Sequence, residues 1–191
     1  MDATQGWVPT IDEAVTDAPL PPGNSEGIFG YGGTGNGDTK VSITNKVSNA
    51  GVVSSDITGV GTARNSLAAC EYGGDKGIFG FGLDSTTATA VTNLVSNAGV
   101  VATDVTGVGT TRHSIVACGY GEDKGIFGLG QDASWYAVGM TNLVSNAGVV
   151  ATDVTAVATA RQTAAATQYG EDKGIFGFGN SATYLSITNL V

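Results

Sequence analysis

Charged side chains are scarce in this sequence, 13 % of 191 residues, and only eight of them are Lys or Arg. None of the eight precedes Lys40, and they are scattered singly. Nucleic-acid binders draw most of their affinity from neutralised phosphates and need a basic stripe. This chain instead carries a formal net charge of −9, which excludes nucleic acid and anionic membrane surfaces as partners and favours solubility. No apolar run approaches the roughly 18 residues of a membrane-spanning helix. The opening MDATQGWVPTIDEA has neither a basic nor an apolar segment, so the expectation is a protein made in a cytoplasm without a signal peptide.

Proline and cysteine are also rare. All four prolines (Pro9, Pro19, Pro21 and Pro22) lie near the start, leaving the rest of the chain free of the residue that a central strand rejects. The two cysteines, Cys70 and Cys118, fit a pair of small buried residues. A disulfide between them is left open, because spacing alone does not bring two Cα atoms within bridging distance. What is abundant is glycine, 30 residues, accompanied by Thr, Ser, Val and Ala. That balance belongs to a turn-rich β protein.

The chain repeats itself. Gly-Ile-Phe-Gly begins at Gly27, Gly77, Gly125 and Gly174, at steps of 50, 48 and 49 residues. A Thr-Asn pair follows each, at Asn45, Asn93, Asn142 and Asn189. Then come the turn Ser-Asn-Ala-Gly, an aspartate (Asp56, Asp104, Asp153) and an arginine (Arg64, Arg112, Arg161). The units are 27–76, 77–124 and 125–173, with a partial unit 174–191, preceded by an acidic, proline-containing arm 1–26. Each unit reads as four strands. In the second they are Ile78 to Gly82, Val91 to Ser96, Val100 to Thr106 and Arg112 to Tyr120. In the first of these, period two puts Phe79 and Phe81 on one face. Ala-rich Gln162 to Gln168 is read as strand, because its counterparts in other units contain Val, Ile and Cys.

Four short strands in about 49 residues predict an all-β fold of β-propeller blades, each covering its neighbour's apolar face. The stretch Arg64 to Gly82, RNSLAACEYGGDKGIFGFG, resembles a Kelch motif: an arginine, a small apolar strand, then an aromatic strand ending in glycine. The resemblance covers residues 27 to 191, with Phe-Gly or Leu-Gly where Kelch repeats have a Gly-Gly pair. The near-verbatim units are also similar to repeat proteins of bacteriophages, of the kind that infect cyanobacteria. That resemblance implies a virion protein: a tail, fibre or baseplate component that self-associates or joins other virion proteins. Four blades fit the length, the last completed by the arm of the same chain or by a neighbouring subunit. Pro in the arm restricts its share to one edge strand around Trp7 to Asp12.

Residues for chemistry are missing. His113, the single histidine, stands where other units have Asn65 and Gln162, and reads as a substitution in an exposed polar slot. No His/Cys cluster has zinc spacing, no Asp-x-Asp-x-Asp run makes a calcium loop, and no glycine-rich segment opens a helix to cradle phosphate. The expectation is therefore no catalytic residue, no cofactor and no metal. The recurrent Asp, Arg and Asn residues read as structural, pairing strands or capping turns once per unit, with a ring of ligand groups as the alternative. The loops after Gly-Ile-Phe-Gly vary, and scaffolds place binding on variable loops. Trp135 and Tyr136 are the candidate binding residues there, suited to stacking on a host-surface glycan in a lectin-like propeller.

Overall fold

A computed structural model describes residues 25–35, 39–155, 158–170 and 172–191. Trp7, the four prolines and any strand supplied by the arm lie outside these. Among the described residues there is no helix. These residues form 19 short strands in four groups, the longer ones built on the Gly-Ile-Phe-Gly and Thr-Asn segments and on the segments that end in Tyr72, Tyr120 and Tyr169. The first group is β1 (Gly27–Gly30), β2 (Gly33–Thr34), β3 (Thr39–Lys40) and β4 (Thr44–Val47). The second is β5 (Ala68–Tyr72), β6 (Lys76–Gly80), β7 (Leu83–Asp84), β8 (Thr87–Ala88) and β9 (Thr92–Val95). The third is β10 (Arg112–His113), β11 (Val116–Tyr120), β12 (Lys124–Gly128), β13 (Gln131–Asp132) and β14 (Thr141–Val144). The fourth is β15 (Ala165–Tyr169), β16 (Lys173–Gly177), β17 (Asn180–Ser181), β18 (Thr183–Tyr184) and β19 (Thr188–Leu190).

The main sheets are antiparallel: β5-β6-β9, β11-β12-β14 and β15-β16-β19, preceded by the pair β1-β4. Their registers repeat, with Phe79 opposite Asn93, Phe127 opposite Asn142 and Phe176 opposite Asn189. Sheet and sequence unit are out of phase. Lys76 and Gly77, either side of a unit boundary, sit together in β6, so each three-stranded sheet takes its first strand from the unit before. The expected strand Val100 to Thr106 is reduced to two bridges, Val101 to Val95 and Val105 to Thr92. The expected strand Arg112 to Tyr120 is broken at Ser114, whose φ of 51° turns the chain between β10 and β11. Gln162 to Gln168 is extended, as a bridge at Gln162 and strand β15.

Sheets pack on one another in chain order, and the core is the space between them. Here the reading of Phe79 and Phe81 as one face is corrected. The strand ends at Gly80, and Phe81 adopts φ 62° with Gly82 at 106°, a left-handed corner that reverses the side-chain direction. Phe79 therefore packs back against Tyr31 of the preceding unit, ring centroids 5.2 Å apart, while Phe81 packs forward against Phe127, also at 5.2 Å. The same corner recurs at Tyr31, Leu129 and Phe178. A glycine is required at Gly80 for a second reason. A Cβ there would lie 2.6 Å from the Phe127 ring, and one at Gly128 would lie 2.5 Å from the Phe176 ring. Each aromatic ring is thus a knob seated over a bare backbone in the sheet before it. Backbone bonds add to the stacking: Ser114 N–H donates to Ser66 O (2.8 Å) and Gly121 N–H to Asp172 O (2.7 Å).

Candidate functional site

The recurrent polar residues meet between sheets. Each Thr-Asn pair lies on a strand opposite the Phe of Gly-Ile-Phe-Gly, which holds the asparagine under the incoming arginine. Arg64 is fully buried. Its Nε donates to Phe81 O (2.8 Å), its Nη2 donates to Asn93 Oδ1 (2.7 Å), and its guanidinium lies 4.3 Å over the Tyr31 ring. Asn93, also buried, donates from Nδ2 to Asp104 Oδ1 (2.9 Å). Asp104 in turn accepts the Thr62 hydroxyl (2.6 Å) and the Thr62 N–H (3.0 Å). Arg64 and Thr62 come from one unit, Asn93 and Asp104 from the next, so the four residues tie two repeats together.

The next junction repeats this set. Arg112 donates to Asn142 Oδ1 and to the carbonyls of Leu129 (3.1 Å) and Met140 (3.0 Å), over the Phe81 ring at 4.7 Å. Asn142 donates to Asp153 (2.9 Å), which accepts the Thr110 hydroxyl (2.7 Å) and N–H (2.9 Å). Arg161 donates to Asn189 Oδ1 at 2.8 Å. At the start of the stack, Asn45 donates to Asp56 at 2.8 Å. Thr62 and Thr110 were absent from the sequence reading, although Thr two residues before Arg recurs at Thr62, Thr110 and Thr159 and is its visible signal.

The electrostatics follow from this geometry. Burial pushes the Arg112 guanidinium down to about 10, and the charge of Asp153 partly offsets it. For Asp153, burial acts upward. The bonds from Thr110 and Asn142, with the charge of Arg112, outweigh it and hold the carboxyl below the ordinary value. Asp104 behaves the same way with Thr62, Asn93 and Arg64. The hairpin pairs Lys76–Asp75 (2.6 Å) and Lys124–Asp123 (3.0 Å) join adjacent residues at the surface, where such pairs contribute little.

A second cluster distinguishes the third unit. Trp135 and Tyr136 project from the loop after β13, 57 % and 72 % exposed. Asp132 Oδ1 accepts the N–H groups of Ser134 (2.9 Å) and Tyr136 (3.0 Å), and Gln131 Nε2 donates to Trp135 O (2.8 Å). These bonds hold Trp135 at φ 65°, a conformation that costs an aromatic residue of order 1 kcal/mol or more. His113 supports it from beneath, its ring 4.4 Å from the indole in an edge-on arrangement. The exposed slot expected for His113 is corrected here: the residue is 2 % exposed, its Nδ1 is 3.1 Å from Ser114 Oγ, and burial lowers its pKa. The indole covers it, which spacing within one chain does not reveal.

Cys70 and Cys118 are free thiols. Their sulfurs lie against the backbone of the next sheet, where a Cβ on Gly125 or Gly174 would be 2.6 Å or 2.7 Å away. Burial pushes the Cys70 thiol up to about 12 and the Cys118 thiol to about 11. A groove of about 240 Å³ lies between the first two sheets, lined by Ile28, Lys46, Cys70, Glu71 and Ile78 among others, beside the edge of β1 that has no partner strand among the described residues. Among the described residues no three His, Cys, Asp or Glu side chains converge as metal ligands, and no helix is long and apolar enough to cross a membrane. No protein-family model matches the sequence, and no curated protein matches it.

Proposed function

We propose that this chain is a non-enzymatic structural protein, a propeller-type stack of four blades serving as an assembly and adhesion module in a virion tail, fibre or baseplate. One observation carries the reading. The buried Arg112 and Asn142, with Asp153 and Thr110 at the edge of the joint, are used up joining one repeat to the next, and the same set recurs at Arg64, Asn93, Asp104 and Thr62. Residues that in a binding protein would converge on a ligand are here distributed along the stack as joints. Repeat proteins of this kind gain stability from nearest-neighbour interfaces, which suits a load-bearing or scaffolding role. Static light scattering of the purified chain from 0.1 to 10 mg/ml (about 5 to 500 μM) tests it, a range in which weak self-association becomes visible. A defined oligomer or a fibre is expected, and a monomer at every concentration overturns the reading.

A lectin-like reading is favoured by one feature, the Trp135–Tyr136 loop. Two exposed aromatics on a tightly hydrogen-bonded, strained loop offer a flat apolar face beside Gln131 and Asp132, the arrangement that stacks on a sugar ring. A glycan array with wild type and Trp135→Ala decides it: hits lost in the variant support it, and no hits with wild type remove it.

A further inference from the structure

The joint between repeats has two halves, a phenylalanine knob and a glycine socket backed by an aromatic corner. Phe79 seats over Gly30 against Tyr31, Phe127 over Gly80 against Phe81, and Phe176 over Gly128 beside Leu129. Among the described residues one knob and one socket are left uncovered. Phe29, on β1, is 65 % exposed, whereas Phe79, Phe127 and Phe176 are 4 % or less. At the far face of the stack a Cβ on Gly177 would meet only Thr188 of its own sheet, at 3.5 Å. The corner residue behind it, Phe178, is 60 % exposed, while Phe81 in the same position is fully buried. Between them lies an apolar hollow of about 150 Å³, lined by Ala166, Thr167, Ile175, Gly177, Phe178 and Thr188. A cavity of about that size accommodates a benzene ring.

We infer that Phe29 of one molecule docks into the Gly177–Phe178 hollow of a second copy of this chain, continuing the stack head to tail. The inference rests on the structural reading above and names its partner. The argument is continuity with an established interface: three internal joints already show that this knob fits this socket, and the two outward faces hold one of each. A contact between different faces of identical subunits leaves both ends open and propagates. The described sides of the contact, Phe29 and the hollow lined by Ala166, Ile175 and Phe178, are apolar, and added salt does not weaken it, since screening also relieves the repulsion between chains of net charge −9.

Paired variants test this. Phe29→Ala removes the knob from a surface position, and Gly177→Leu fills the socket at a site whose backbone accepts a side chain. Each alone is expected to be monomeric, with association weakened about a hundredfold by loss of one buried aromatic ring. Mixed in equal amounts they should form a dimer and stop, because Phe29 of the socket-filled variant can enter the open hollow of the knobless one. A wild-type chain that stays monomeric overturns both this inference and the structural reading. Wild type that assembles while the variants assemble equally well, or a mixture that yields no dimer, overturns this inference alone. Circular dichroism of each variant establishes that the fold is kept.

Discussion

Replacing Arg112 by Met removes the most heavily used joint in the stack while keeping a flexible apolar stem of similar length. The guanidinium serves four acceptors, the carbonyls of Thr110, Leu129 and Met140 and the Asn142 side chain. Met140 O retains the Leu129 N–H at 3.0 Å, but Leu129 O and the buried Asn142 Oδ1 lose the donors that Arg112 supplies. Each buried acceptor left unmade costs about 1–3 kcal/mol. The guanidinium also sits 4.7 Å over Phe81 in a dry interface, a contact of about 1–2 kcal/mol. These terms are not strictly additive, and the total falls at about 4–5 kcal/mol. Against a typical stability of about 5–15 kcal/mol that is a severe loss, and it lowers Tm by roughly 10–15 °C for a chain of this size. Arg161→Met is the internal control. Arg161 bonds Thr159 O and Asn189 Oδ1, and among the described residues only Arg64 and Arg112 lie over aromatic rings, so its loss should cost about 2 kcal/mol less. Urea unfolding followed by far-ultraviolet circular dichroism measures both. A loss below about 1 kcal/mol for Arg112→Met, or equal losses for the two variants, would refute the reasoning, because either would mean that the buried network adds nothing beyond packing.

Three further outcomes follow from the same geometry. Gly80→Ala places a Cβ 2.6 Å from the enclosed Phe127 ring and should destabilise by about 1–3 kcal/mol, while Gly177→Ala meets only Thr188 at 3.5 Å and should be neutral or slightly stabilising; thermal melts of the two distinguish a tight joint from an open one. Asp104 and Asp153 have depressed pKa values in the folded chain, so the stability they contribute is complete above the ordinary carboxylate pKa of about 4 and is lost as pH falls through the lower folded values. A urea-midpoint series from pH 7 to pH 2 should decline there, and Asp153→Asn should flatten the decline. Cys118, buried and raised to about 11, should resist a thiol reagent at pH 8 until denaturant is added; rapid labelling of Cys118 in the native chain would contradict its placement between sheets.

Recurrence of Asn, Asp and Arg once per unit is legible in the sequence, and it is enough to nominate these residues as a set. Their pairing is not. Asp104 stands six residues before Thr110 and 42 after Thr62, yet it bonds the distant one. Only the stacking of sheets brings the end of one repeat beside the edge of the next. Trp135 and Tyr136 stood out in the sequence as aromatics in a variable loop, and the structure leaves both exposed. The histidine beneath them reads as exposed in the sequence, because the residue that covers it is 22 positions away, in the loop after β13.

The sequence by itself determined the period of the repeat, the all-β character of the described residues, and the few residue types that each unit reuses. Those properties depend on local backbone preference and on side-chain periodicity within one strand, and both are written in neighbouring residues. Tertiary structure alone decided which way each aromatic faces and what it meets. The left-handed corner at Phe81 breaks the period of two, so Phe79 and Phe81 serve opposite interfaces despite sitting two residues apart. It also decided that Phe29 and Gly177 are left uncovered among the described residues, since whether a ring is a filled knob or a free one depends on the neighbouring sheet and not on the Gly-Ile-Phe-Gly that carries it.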